Sequence, residues 1–281
     1  MSKQKSSTSS GAKNTLGKVF LVGAGPGAAD LITVRGAKLL AQADAVFHDA
    51  LVDPEMLALC PQAIKVAVGK RCGKLSSAQQ FINKRLIDAA KQYQVIVRLK
   101  GGDPMLFGRA DEEITALKEV GIEVEVVPGI TAALAGAASL QQSLTLRGIS
   151  RSVAFITLAQ GTENVTPNQP LATPSADTLV YYMGRKDAAK IAQQLIEDSP
   201  NQTAETPAHI LEAVSTQHER LWSSTLAELA NGKANDWFDA QSPALIMIGQ
   251  ALRNTRLESS SPEVDNSLQD CSIFANSKRS A

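Results

Sequence analysis

Cysteine is scarce in this chain: Cys60, Cys72 and Cys271 stand far apart and are odd in number. They offer neither the pairs of a disulfide framework nor the spacing of a metal site, so no metal is expected and a reducing, cytoplasmic setting is. Aromatic residues make up only 4% of the chain, too few for a platform on which nucleic-acid bases could stack. An excess of either charge is also missing, with 28 Lys plus Arg against 28 Asp plus Glu. No overall field then favours nucleic acid or a membrane surface, and any anionic ligand must be met by a local basic cluster. No apolar run approaches the roughly 20 residues needed to cross a bilayer. Residues 1–17 are rich in Ser, Lys and Thr and lack the apolar segment of a signal peptide. That stretch and residues 255–281 read as disordered tails.

Between the tails, a hydrophobic content of 44% supports a sizeable core. Short β-branched runs alternate with amphipathic stretches, the signature of βα units and a largely parallel sheet. Strands are expected at 19–22, 45–48, 64–68, 95–99 and 124–127, with helices at 30–41 and 77–91. Ser77 and Gln80 have capping-box spacing at the start of the second helix. Pro128-Gly129 closes this block, and 130–140 reads as a helix of small residues suited to close packing. A second block has strands at 152–158, 179–182, 208–211, 220–222 and 244–248 around a helix at 188–197. More strands per helix predicts a mixed sheet there. The stretch 161–177 is rich in Pro, Thr and Asn and reads as a loop.

Two glycine loops carry most of the chemistry. Lys100-Gly101-Gly102-Asp103-Pro104-Met105 follows a strand, where paired glycines let backbone approach a ligand and the aspartate brings a negative charge. Open α/β sheets bind small molecules at such strand ends. Gly23-Ala24-Gly25-Pro26-Gly27-Ala28 follows the first strand and formally satisfies the dinucleotide fingerprint, with Asp49 near the expected offset. A nicotinamide-dependent oxidoreductase is therefore one reading. Against it, Pro26 removes an N–H from the turn that would hold a pyrophosphate, and Asp30 puts a negative charge where an anion would sit.

Further motifs stand in a fixed order. They are Val22-Gly23-Ala24-Gly25-Pro26-Gly27, Val68-Gly69-Lys70-Arg71, Arg98 through Pro104, Phe107-Gly108-Arg109, Val127 through Ala132, Tyr182-Met183-Gly184 and Ser242-Pro243-Ala244-Leu245. Together they resemble the tetrapyrrole methylases, from about Lys18 to Arg253. The resemblance implies two α/β domains, expected at 18–136 and 137–254, with S-adenosylmethionine in the cleft between them and S-adenosylhomocysteine as product. It also implies a homodimer. Within the family the likeness is strongest to members that methylate uroporphyrinogen III at C2 and C7, giving precorrin-2 for sirohaem and cobalamin. A member with a different acceptor is the alternative.

By the same resemblance, the donor falls to Pro26, Gly101, Gly102, Asp103, Leu106, Thr131, Ala132, Met183 and Ala213. A proton acceptor is implied at Asp49 and a proton donor at Lys70. The substrate carries eight carboxylates, and Arg71, Arg109, Arg147 and Arg151 are the cations expected to meet them. The chain departs from the family pattern at His48-Asp49-Ala50, where Tyr-Asp-Arg is usual, and at Leu146 and Ala159, where histidine is usual. A glycine usual near Ala213-Val214 is also replaced. These departures fall more on the acceptor side than on the donor side.

Overall fold

The computed structural model describes residues 16–50, 52–68, 75–158 and 173–253. The first half runs β1 (Lys18–Gly23), α1 (Val34–Leu40), β2 (Ala45–His48), β3 (Ile64–Ala67), α2 (Leu75–Ala90), β4 (Val95–Lys100), α3 (Ala110–Glu119) and β5 (Val124–Val127). Its strands form one sheet in the order β3-β2-β4-β1-β5, and every pairing is parallel. Side chains alternate across this sheet. Val19, Leu21 and Ile96 pack with Leu86 of α2 and Leu117 of α3, while Val22, Val97 and Leu99 pack with Leu40 of α1 and Met56. Both faces are covered, which is why these strands read as nearly unbroken apolar runs. Each fully buried leucine contributes about 1.5–3 kcal/mol through burial.

The expected helix at 30–41 is split. A 3-10 turn covers Ala29–Leu31, and α1 starts only after Thr33, whose hydroxyl accepts the Gly36 N–H at 3.1 Å. The side-chain cap places the helix start where the chain can satisfy it. Cys60 is fully buried at the end of the 3-10 turn Pro54–Leu59.

The second half runs α4 (Ala132–Leu140), β6 (Val153–Thr157), β7 (Thr178–Tyr182), α5 (Ala188–Asp198), β8 (Pro207–Glu212), β9 (Arg220–Thr225), α6 (Leu226–Ala230) and β10 (Ala244–Gly249). Its sheet, β6-β7-β10-β8-β9, is mixed: β6 and β7 are parallel and the other pairings antiparallel. Helix α5 buries Ala188, Ile191, Ala192 and Leu195, the spacing of one helical face, against this sheet together with α6. On the opposite face lies α4. A Cβ at Gly136 would come within 3.0 Å of the Met247 sulfur, so the small residues let α4 sit close on β10. Ala133 and Ala135 join the core of this second sheet, and the expected boundary between 136 and 137 therefore runs through α4.

Candidate functional site

The two glycine loops leave neighbouring strands, β1 and β4. From β1 the chain crosses by α1 on one face toward β2, and from β4 by α3 on the other face toward β5. Connections departing in opposite directions open the crevice in which α/β sheets bind ligands. Here three loops meet at the strand ends. Ala24 N–H donates to Lys100 O at 2.7 Å, and Gly25 and Gly102 exchange backbone hydrogen bonds of 3.2 and 2.7 Å. Asp103 fastens the third loop: Oδ2 accepts Gly129 N–H and Oδ1 accepts Met105 N–H, both at 2.8 Å.

The glycines make this junction possible. A Cβ at Gly129 would lie 2.2 Å from Gly102 O, and one at Gly23 would lie 2.5 Å from Gly129 Cα. The close approach expected of the glycines is therefore, first of all, an approach of loop to loop. Gly102 keeps an open side, since a Cβ there would meet nothing within 4 Å, although its φ of +67° would strain any other residue.

The first loop does not present its amides as a dinucleotide site would. Ala24 and Gly25 are bonded as described, Pro26 has no N–H, and Ala28 N–H donates to Ser215 Oγ at 3.1 Å. A Cβ on Gly27 would come within 2.5 Å of Thr216 Cγ2, so this loop is docked on the second half. The loop is followed by the short 3-10 turn Ala29–Leu31, and α1 starts only at Val34, so no α-helix N-terminus stands directly behind the loop to receive a pyrophosphate.

The second half faces this junction with backbone in the left-handed region. Met183 after β7 has φ 57°, and Ala213 and Ser215 after β8 have φ 48° and 64°. Phe107 and Arg109, after β4, have φ 53° and 55°. Non-glycine residues held this way cost about 1–3 kcal/mol each and cluster where function requires them. Met183 is 56% exposed despite its apolar side chain. Beside it, Tyr182 packs against Phe107 at 5.1 Å and Phe155 at 6.2 Å between ring centroids. The Tyr182 hydroxyl bonds Thr131 Oγ1 at 2.5 Å and accepts Ala133 N–H at 3.2 Å, filling one amide position at the start of α4. Burial pushes its phenol pKa up, against the opposing pull of those hydrogen bonds.

Thus Gly102, Asp103 and Leu106 from the β4 loop, Pro26 from the β1 loop and Thr131 and Ala132 after β5 belong to converging strand ends. Gly101 lies exposed beside them, and Met183 and Ala213 come from the ends of β7 and β8. Asp49 follows β2 and is partly exposed. Lys70, Arg71 and Ala159 lie outside the described residues. Arg109 forms a two-pronged pair with Glu112, at 2.6 and 2.7 Å. Arg147 is exposed in the 146–150 turn, and Arg151 donates its amide to Asp177 at 2.9 Å. Asp177 precedes β7, whereas Met183 follows it, so Arg151 lies at the opposite end of that strand from Met183.

Sequence reasoning missed a buried ionic network beneath the β4 loop. Glu113, fully buried in the first turn of α3, accepts Arg98 Nε–H at 3.0 Å and Lys100 Nζ–H at 2.8 Å. Arg98 reaches on to Asp49, with Nη2 at 2.5 Å from Oδ1. Burial pulls the Arg98 pKa down, but Glu113 and Asp49 more than offset it and the net shift is upward. Burial and then the Arg98 charge lower that of Lys100, against the pull of Glu113. The signal was present in β4. Arg98 and Lys100 share the strand parity of buried Ile96, and an inward cation in a central strand requires a buried anion.

A family model described as Tetrapyrrole (Corrin/Porphyrin) Methylases matches residues 18–230. A siroheme synthase of Stutzerimonas stutzeri is 42% identical over 86% of this chain and 51% of its own length. The chain thus spans about half the length of the siroheme synthases it matches. A uroporphyrinogen-III C-methyltransferase of Pseudomonas aeruginosa is 42% identical over 85% of this chain and 95% of its own. Among solved structures, the uroporphyrin-III C-methyl transferase of Thermus thermophilus complexed with S-adenyl homocysteine superposes with a TM-score of 0.70. Identity there is 36%, covering 84% of this chain and 94% of that one.

Proposed function

Because the chain belongs to the tetrapyrrole (corrin/porphyrin) methylases, we propose that it methylates uroporphyrinogen III at C2 and C7, using S-adenosylmethionine, to give precorrin-2. The observation that carries this is the junction of the β1, β4 and β5 loops facing left-handed, exposed Met183. The likeness to the Pseudomonas methyltransferase over nearly all of that protein supports it.

The residues fit the donor. Met183 offers an apolar, adaptable wall to a flat base. The open side of Gly102 leaves room for a nucleoside, and Asp103 adds a negative charge that suits a sulfonium cation. Pro26, Gly101, Leu106, Thr131, Ala132 and Ala213 complete the set that would hold it. When bound, the donor supplies an already activated methyl group, so the protein's work is alignment and exclusion of water. The rings of Phe107, Tyr182 and Phe155 give an apolar side beside Met183.

Attack by an electron-rich pyrrole carbon builds positive charge on the macrocycle, and loss of a proton restores the neutral product. Asp49 is the acceptor in this reading. Its Oδ1 is held by Arg98, and Oδ2 has no hydrogen-bond partner among the described residues. Lys70 is proposed as the proton donor, and Arg71, Arg109, Arg147 and Arg151 as partners of the substrate carboxylates. A homodimer belongs to the same proposal, and the exposed Leu146 and Ile149 are apolar surface available to a second copy.

Anaerobic incubation with uroporphyrinogen III and S-adenosylmethionine, followed by mass analysis, tests the activity: two added methyl groups are expected. No methylated product would defeat it. Calorimetry with S-adenosylhomocysteine and with NAD separates it from the oxidoreductase reading, which requires NAD to bind and S-adenosylhomocysteine not to. Sedimentation tests the dimer.

A further inference from the structure

We propose that Glu113 is a positioning residue for Asp49, seating the Arg98 guanidinium so that one edge is held in the interior and the other holds the carboxylate at the cleft. The inference rests on the proposed methyl transfer, in which Asp49 is the proton acceptor. Arg98 spans two carboxylates: Nε–H donates to Glu113 Oε1 at 3.0 Å and Nη2–H to Asp49 Oδ1 at 2.5 Å. Nη1–H donates to the carbonyl oxygens of Leu99 at 3.1 Å and Phe47 at 3.5 Å. Its plane is therefore fixed on every edge, and Glu113 is the ionic partner on the interior side.

Glu113 is held in turn. Gln79 Nε2 donates to Oε1 at 3.3 Å and Lys100 Nζ to Oε2 at 2.8 Å. Gln79 also bonds Asn83, which reaches the Glu112 carbonyl at 3.2 Å, so α2 and α3 are stitched together around the carboxylate. Arg98, Lys100, Glu113 and Asp49 together sum to zero formal charge, a closed set in which only Asp49 has substantial exposure, at 32%.

Stability does not account for this arrangement. Buried ion pairs seldom beat apolar residues of similar volume, because desolvation consumes most of the attraction. Their better-supported use is to fix geometry. The network lies directly under the β4 loop and ends on Asp49. A misplacement of about 1 Å at a reacting group can cost roughly 100-fold in rate.

Three variants and three measurements test the inference. Glu113→Ala removes the seat, and kcat is expected to fall about 100-fold while the calorimetric Kd for S-adenosylhomocysteine stays unchanged. Glu113→Gln keeps an oxygen for Arg98 Nε–H. Lys100, already disfavoured as a cation by burial and by Arg98, can release its proton and accept from the new amide. Its kcat is expected within about threefold of wild type, a rescue that loss of fold integrity alone would not give. Arg98→Lys keeps a cation but not the fork, and should lose kcat as Glu113→Ala does. It decides the matter if Glu113→Ala does not fold.

Independently of turnover, the Arg98 Nε–H proton should exchange slowly by NMR in wild type and Glu113→Gln, and rapidly in Glu113→Ala. Unchanged kcat in folded Glu113→Ala or in Arg98→Lys overturns the inference, as does an equal loss in Glu113→Ala and Glu113→Gln. A wild-type protein inert toward uroporphyrinogen III defeats the proposed activity instead. In that event, exchange equally slow in Glu113→Ala would still refute the seat itself.

Discussion

Replacing Gly129 by alanine adds one methyl group at the most crowded point of the three-loop junction. Gly129 is not among the left-handed residues, so an alanine backbone is comfortable there and the obstacle is space alone. The new Cβ would sit 2.2 Å from Gly102 O and 2.7 Å from Gly23 Cα. Both neighbours are backbone, so no side chain can swing aside, and relief requires the loops to part. Overpacking of this kind costs about 1–3 kcal/mol. Parting the loops also endangers the bond from Gly129 N–H to the Asp103 carboxylate at 2.8 Å, of a kind worth about 1.5–3 kcal/mol. The combined effect is about 2.5–6 kcal/mol on the geometry of the junction. If the donor binds there, calorimetry with S-adenosylhomocysteine should show a Kd weaker by about 100-fold or more. Gly121→Ala is the control, because that glycine has φ +75°, open space around it and a place at the far end of α3. It should lower the melting temperature and leave the Kd alone. A Gly129→Ala protein that binds S-adenosylhomocysteine like wild type would refute the placement of the donor at this junction.

Tyr182→Phe should lower stability by about 1–2 kcal/mol through loss of the bonds to Thr131 and Ala133, read as a fall of several degrees in thermal denaturation. Ala213→Gly should raise stability by up to about 1 kcal/mol, because φ 48° strains alanine and not glycine; urea titration checks it. His209 is pinned between Ser223 Oγ and Leu252 O, each at 2.8 Å, and burial lowers its pKa below the ordinary 6.5 despite the bond to Leu252. Its contribution is present above pH 6.5 and is lost as pH falls through the lower folded-state pKa, so urea titrations across that range should show a decline that His209→Gln flattens.

Much of the fold was legible because periodicity survives in the sequence. Short β-branched runs such as Val19 to Val22, alternating with amphipathic stretches, announced a parallel sheet, and the richer strand content of the second half announced a mixed one. The glycine loops were legible as places of close approach: a Cβ at Gly23 or Gly129 would collide with neighbouring backbone, and Gly102 is held at a φ of +67°. What the residues could not announce was partnership across distance. Asp103 reads as a ligand-facing charge, yet both its oxygens also fasten backbone, one of them in another loop. Arg98 and Glu113 are fifteen positions apart, and their pairing depends on how α3 returns over β4. Arg109, a cation in the sequence, pairs with Glu112 one helical turn away.

The first sheet also has a history in time. The interior strand β1 is made first, but its neighbours are β4 and then β5, which ends at Val127. At ordinary synthesis rates Lys18–Gly23 waits roughly 5–20 s on the ribosome before its last partner exists. Both edges of this apolar strand are open until β4 is made and one stays open until β5 follows, the condition that chaperones exist to manage. Pairing across such sequence distance also makes for slow folding in isolation. The strand that anchors the first glycine loop is thus the element most in need of protection while the chain is being made.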